Sequence, residues 1–223
     1  MRRLGRCIST ALLLAGSAAA HDEREHLAAP APESALFEPP EPGSYELPAI
    51  RRVAEHRLLG SDGASAALLD LEPGQVAVVS FVYRSCADAG GCPAALALLR
   101  RLDRELAGAP ELRGRTRLVT CSFDPARDTP GRMAELAEMM QPKGDWRFFT
   151  AADEATIAPV LEDFDQDVLR ELTADGESPV MRHLLRVFLV DSQRAVRNVY
   201  SASFMDWRVV LNDVKTLAAE PAP

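Results

Sequence analysis

Runs of apolar residues alternate with polar turns along most of the chain, and one run dominates the pattern. The residues from Val76 to Tyr83 are almost all apolar and rich in valine, which is typical of a strand buried on both faces. The run ends in a short polar loop. After that loop, Cys92 and Pro93 precede leucines that recur at helical spacing, with charged residues on the opposite face. The pattern therefore predicts a central strand over 76–83, a loop, and a helix over 94–106.

Similar patterns predict the other elements. Apolar runs predict further strands over 51–59, 64–69, 116–123, 146–150, 184–190 and 195–201. Helical spacing predicts helices over 130–140, 153–164 and 207–217. Thr129 is expected to cap the first of these helices, and Pro159 fits the second only within its first turn. Residues 166–172 remain ambiguous. This order of elements predicts an α/β fold, in which a central mixed sheet is flanked by helices and an N-terminal hairpin precedes the central strand.

The first twenty residues have the plan of a secretory signal peptide. Arg2, Arg3 and Arg6 precede a short apolar run, and a row of alanines ends before charged residues begin. Residues 21–43 are rich in proline and alanine, which is typical of a disordered tether. The folded domain is then expected over 44–218, with a tail at 219–223. These features predict a periplasmic protein that contacts a membrane only through an uncleaved signal.

Charge limits the choice of partners. The chain has 25 Lys and Arg against 33 Asp and Glu, a net charge of −8, and without the signal the balance is 22 against 33, or −11. This acidity argues against nucleic acid as a partner and mildly favours a cationic one.

Cys86 and Cys92 are the candidate reactive residues. Five residues separate them, in a loop between a buried strand and a helix, which is where α/β sheets place their sites. The partial positive charge of the helix start is expected to stabilise a thiolate at Cys92. Two thiolates on a flexible loop suit a soft ion such as Cu(I). The same pair also fits thiol-disulfide exchange or a plain structural disulfide.

Other residues carry weaker signals. His183 is the only histidine in the later part of the domain, and an imidazole beside two thiolates would let one site hold both Cu(I) and Cu(II). Capping and turn formation explain Asp124 and Asp128, with a supporting role beside a metal as the alternative. Cys121 is expected to be a small core residue. The methionines of the domain are likewise expected to serve packing: Met133, Met139, Met140, Met181 and Met205.

Several separated motifs, in order, resemble those of the Sco/SenC family. The resemblance covers about 43–217 and rests on the strand that leads into the cysteine loop, on Cys92 and Pro93, on the stretches 118–130 and 145–150, and on the spacing from His183 to Asp191. It implies a thioredoxin-like fold. It also implies copper, as Cu(I) or Cu(II), held by Cys86, Cys92 and His183.

The resemblance further implies a copper chaperone. Its partner would be a periplasmic cuproprotein or oxidase subunit, such as the one that carries the CuA site of cytochrome c oxidase. Family members usually have three residues between the cysteines, and the five found here loosen the chelate, since preorganisation keeps a chelate tight.

A thiol-disulfide oxidoreductase is the alternative. Cys86 and Cys92 would then be catalytic and would reduce the copper-site cysteines of a target, with a separate reductase restoring the pair. A peroxidase related to peroxiredoxins is a weaker third interpretation, because the sequence context of a lone peroxidatic cysteine is missing.

Overall fold

The computed structural model describes residues 39–86, 91–172, 179–201 and 206–221, and it describes all of their side chains except those of 170–172 and 179–183. The predicted signal peptide and most of the predicted tether lie outside these residues. Within them, no helix is both long and apolar enough to cross a bilayer.

The described residues form ten strands and four α-helices. The strands are β1 (Arg51–Arg52), β2 (Arg57–Gly60), β3 (Ser65–Ala67), β4 (Val76–Val82), β5 (Thr116–Ser122), β6 (Asp145–Thr150), β7 (Val168–Leu172), β8 (Pro179–His183), β9 (Arg186–Asp191) and β10 (Ala195–Ser201). The helices are α1 (Cys92–Ala107), α2 (Pro130–Met140), α3 (Glu154–Asp163) and α4 (Trp207–Ala219).

Eight strands form one mixed sheet in the order β1-β10-β9-β4-β5-β6-β2-β3. β4, β5 and β6 are parallel, whereas β9 runs antiparallel to β4. The short link between β9 and β10 makes an antiparallel hairpin, as predicted. β2 and β3 form the expected N-terminal hairpin. The predicted α/β fold with a central mixed sheet is confirmed.

The core lies around β4, where all seven residues are buried. Phe81 of β4 contacts Phe164 and Phe188 in edge-to-face geometry, with ring centroids 5.1 and 5.9 Å away. Such pairs contribute about 0.5–1.5 kcal/mol each beyond the burial of their area. On α1, Leu99 and Leu102 are fully buried, and the helix packs on α4 and β5. The strand and helix that flank the cysteine loop are therefore rigidly held.

Thr129 caps α2 as predicted, its hydroxyl accepting from the Arg132 N–H at 3.5 Å. The expectation that Pro159 lies in the first turn of its helix is wrong, because this proline is the sixth residue of α3. The helix tolerates it because the neighbouring Ile157 and Val160 are buried in the hydrophobic core, which offsets the lost backbone hydrogen bond.

The predicted strand over 51–59 is wrong. It is two strands, and they lie at opposite ends of the sheet: β1 pairs with β10, and β2 pairs with β6. Between them Val53 is buried, and His56 bonds to Asp163 at 2.8 Å. The ambiguous residues 166–172 include β7, which pairs with the unpredicted β8 in a separate hairpin. Packing on α4 begins within the predicted tether, since the Asn212 amide donates to the Pro40 carbonyl at 2.9 Å.

Candidate metal centre

Cys86 and Cys92 lie at the two ends of the loop that joins β4 to α1. Cys86 follows the last residue of β4 by four positions and is half-buried, whereas Cys92 is the first residue of α1, with Gly91 as N-cap, and is 1% exposed. Both are thiols, and their side chains are within hydrogen-bonding range of each other. Two adjacent sulfur donors are the ligands that a soft, low-coordinate ion such as Cu(I) prefers. The donor set fits copper.

The pKa of Cys92 corrects the expectation of a stabilised thiolate at the helix start. Burial raises the pKa of this thiol to about 12, and the proximity of Cys86 adds to the rise. Backbone hydrogen bonds from Tyr83 and from Cys92 itself act in the opposite direction but are weaker than burial. Since metals bind the thiolate, a metal ion held here would have to displace a proton from Cys92.

Tyr83 belongs to the same cluster. The sequence pattern predicts only that this residue ends the central strand. Its phenol hydrogen-bonds to Cys86, and burial followed by the interactions with Cys86 and Cys92 raises its pKa to about 12. The phenol therefore stays protonated at neutral pH and is available as a hydrogen-bond donor to sulfur. Its ring packs on Phe123 with centroids 5.2 Å apart, which fixes its position.

A buried carboxylate anchors the start of the cysteine loop. Asp128 is 2% exposed, and its Oδ2 accepts hydrogen bonds from the Ser122 hydroxyl at 2.6 Å and from the Arg84 N–H at 3.0 Å. Arg84 is two residues before Cys86, so this contact ties the loop to the end of β5. Asp124 is also buried, and it accepts from Arg127 at 3.0 Å. Asp128 therefore does more than form the turn that the sequence suggested.

The backbone brings His183 to the same end of the sheet. β9 runs antiparallel to β4, with Val187 opposite Ser80, so the residues just before β9 lie near the carboxyl end of β4, where the cysteine loop begins. His183 is the last residue of β8 and pairs with Val168 of β7. The nearly buried Gln166 holds this segment by donating to the Leu184 carbonyl at 2.8 Å. The His183 side chain is outside the described part of the structure.

The remaining sulfur residues divide between core and surface. Cys121 is fully buried in β5, as predicted, and burial alone raises the pKa of its thiol. Met133 and Met140 are buried as predicted, but Met139 is 58% exposed, so the prediction of packing is wrong for it. Among the side chains that the structure describes, no three His, Cys, Asp or Glu residues cluster in a metal-binding arrangement; the side chain of His183 is not one of those.

The chain matches a known family in sequence and known structures in fold. A sequence model of the SCO1/SenC family matches residues 48–219. A search of curated protein sequences finds no match. Among solved structures, the chain is similar to a SCO1/SenC family lipoprotein from Bacillus anthracis, with 22% identity, a TM-score of 0.63, and coverage of 76% of this chain and 97% of that one.

Two further solved structures give the same result. Arabidopsis thaliana ScoI with copper bound is 19% identical, with a TM-score of 0.63 and coverage of 74% of this chain and 96% of that one. BsSco, a Sco family cytochrome c oxidase assembly protein with a disulfide switch, is 22% identical, with a TM-score of 0.63 and coverage of 78% and 99%. These likenesses confirm the thioredoxin-like fold. Because the family model matches most of the folded domain, the chain belongs to the SCO1/SenC family.

Proposed function

We propose that this chain is an exported copper chaperone, which holds copper through Cys86 and Cys92 and passes it to a cuproprotein. A recipient of this kind is the CuA site of cytochrome c oxidase. The observation that carries the proposal is the contact between two thiols at the junction of β4 and α1, in a family whose solved members include a copper-bound ScoI and an oxidase assembly protein. Export would follow from the signal peptide at 1–20.

The proposal assigns His183 as the third ligand. Its support is the strand register, which leads the chain from β8 past the carboxyl end of β4. An imidazole would let the site accept Cu(II) as well as Cu(I), since nitrogen donors suit the oxidised ion. Asp128 and Tyr83 would hold the thiol loop in place without binding the metal, which compensates for a loop of five residues between the cysteines.

Competitive titration with a chromogenic Cu(I) chelator tests this proposal. The reduced chain should take up one Cu(I), and Cys86→Ser and Cys92→Ser should each lose that uptake. His183→Ala should weaken Cu(I) binding and abolish a Cu(II) absorption band. Cys121→Ala is the matched control, because it removes a buried thiol outside the site and should leave uptake unchanged. Uptake by both serine variants at the wild-type level would contradict the proposal.

A thiol-disulfide oxidoreductase is the second candidate, and the unequal exposure of the two thiols favours it. Half-buried Cys86 would attack the target disulfide, and buried Cys92 would resolve the mixed disulfide. The reduction potential of the pair and its turnover with a disulfide peptide decide between the candidates. His183→Ala should impair copper binding alone, whereas Cys86→Ser should abolish both activities.

A further inference from the structure

A groove opens beside the two thiols, between α1 and α2. Its volume is about 480 Å³, and Cys86 and Cys92 line one end of it. From there it follows the face of α1 that carries Leu96, Arg100 and Arg104. These residues recur at helical spacing on one face of α1, so the groove runs along the helix, away from the sulfurs.

One wall of the groove is apolar. Leu136 and Met140 of α2 are buried, Leu96 of α1 is half-buried, and Met139 is 58% exposed. Methionine is flexible and polarisable, and it is over-represented on surfaces that adapt to a partner. A large apolar side chain exposed in a concave site indicates a surface that a partner covers.

The charge of the groove is opposite to that of the chain. Among the residues that the structure describes, its lining includes three arginines and no acidic residue, whereas the chain carries a net charge of −8. Arg84 pairs with Glu135 at 2.8 Å. Arg100 and Arg104 are both exposed, and no carboxylate among the residues that the structure describes forms an ion pair with either of them. Charge complementarity at an interface therefore calls for an acidic partner here.

The positions of these arginines set the spacing of the partner segment. Arg100 and Arg104 follow Cys92 by 8 and 12 residues, which is roughly 12 and 18 Å along a helix. An extended chain advances about 3.3 Å per residue. A segment whose metal ligand meets the thiols would thus reach Arg100 about four residues later and Arg104 about five to six residues later.

We propose that this groove docks an acidic, partly apolar segment of the copper recipient, with its acidic residues on Arg100 and Arg104 and its metal ligand beside Cys86 and Cys92. This inference rests on the proposed function, because the recipient is defined by the copper it accepts. It differs from the expectation of a cationic partner, which used only the net charge of the chain. A docking segment contacts the positively charged lining of the groove, so this local charge, and not the net charge of the chain, sets the charge of the segment.

Fluorescence anisotropy with a labelled peptide tests the docking. The probe has, in order, one methionine, three residues that alternate leucine and alanine, and three glutamates, so that the glutamates fall about four to six residues after the methionine. Its matched control has glutamines in place of the glutamates. The glutamate peptide should bind the chain more tightly than the control, and the difference should shrink at high salt. Equal binding of the two peptides would overturn the proposal.

Substitutions inside and outside the groove test whether the peptide binds there. Arg100→Glu with Arg104→Glu should weaken binding of the glutamate peptide about tenfold, because two exposed ion pairs are lost. Met139→Glu should weaken both peptides. Arg113→Glu is the matched control, because it changes an exposed arginine outside the groove and should have no effect. An equal loss with Arg113→Glu would assign the binding to net charge and overturn the proposal.

Cu(I) titration of the same variants separates this inference from the proposed function. The double arginine variant should bind Cu(I) like the wild type. If the wild type takes up no Cu(I) but still prefers the glutamate peptide, the chaperone function fails and the acidic docking site stands. If Cu(I) binds but the peptide preference is absent, the docking site fails alone. Sedimentation that shows a dimer broken by the arginine variant would assign the groove to a second copy of this chain and contradict the recipient.

Discussion

Replacing Asp128 by alanine removes the acceptor that fixes the start of the cysteine loop. A single oxygen, Oδ2, accepts from the Ser122 hydroxyl at 2.6 Å and from the Arg84 N–H at 3.0 Å, and the side chain is 2% exposed. In Asp128→Ala both donors would lose this acceptor in a site that water reaches poorly. The variant should therefore weaken the fold and loosen the loop that carries Cys86.

The expected cost follows from the two hydrogen bonds. A hydrogen bond to a charged group contributes about 1.5–3 kcal/mol, so two would give roughly 3–6 kcal/mol. Burial of the carboxylate opposes this gain, since desolvation is the largest cause of the raised pKa of Asp128. We therefore expect the lower end, about 3 kcal/mol, which lowers the Tm by roughly 6–12 °C in a domain of this size. Copper affinity should fall by about tenfold, or about 1.4 kcal/mol, from lost preorganisation.

Urea unfolding and Cu(I) competition measure the two effects, and Asp213→Ala is the control. Asp213 of α4 is also buried, and it accepts from Tyr200 at 2.6 Å and Asn198 at 2.8 Å on β10 and from the Tyr45 hydroxyl at 2.5 Å. Its removal should cost at least as much stability without changing copper affinity. An unchanged unfolding midpoint for Asp128→Ala, or a loss of copper affinity equal to that of Asp213→Ala, would refute the anchoring role.

Two further predictions follow from the pKa shifts. Burial raises the pKa of Cys92 to about 12, so iodoacetamide at pH 7–8 should label Cys86 much faster than Cys92. Peptide mass spectrometry measures the two labelling rates, and equal rates would contradict the burial of the Cys92 thiol. Hydrogen bonds from the Ala54 N–H and from His56 lower the pKa of Asp163 below its ordinary value. The stability from this carboxylate is therefore present above the ordinary pKa and is lost as pH falls through the lowered pKa. Asp163→Asn should flatten the acid limb of a plot of stability against pH, and an acid limb identical to that of the wild type would show that another group causes it.

The elements around the site were predictable because their signals are local. β4 is apolar at nearly every position and buried at every position, so its pattern has one interpretation. α1 has regular leucine spacing and Pro93 in its first turn, which placed Cys92 at the helix start. Thr129 and Pro130 likewise mark the start of α2. In each case the sequence near the element contains the physical cause of the element.

The failures concern properties that depend on distant parts of the chain. Residues 51–59 have one strand-like pattern, yet β1 and β2 pair at opposite ends of the sheet, and pairing is a tertiary property. β8 begins at a proline and ends in Arg182 and His183, which concealed it. The thiol pKa of Cys92 was expected to fall because the helix dipole is local, but burial by the surrounding elements is stronger.

The groove could not be predicted from the sequence, because it also depends on distant parts of the chain. Arg100 and Arg104 look like an ordinary solvated face of α1, and Met139 looks like a core residue of α2. Only the packing of α1 beside α2 brings them together next to the thiols. The net charge of the chain favours a cationic partner, whereas the local charge of the groove is the basis for proposing an acidic one.

X-ray absorption spectroscopy of the chain loaded with Cu(I) tests the central claim most directly. If Cys86 and Cys92 hold the metal with His183, the spectrum should fit two sulfur scatterers and one nitrogen, and the nitrogen should vanish in His183→Ala while both sulfurs remain. A wild-type spectrum without sulfur, or with only one sulfur scatterer, would contradict the shared thiol site.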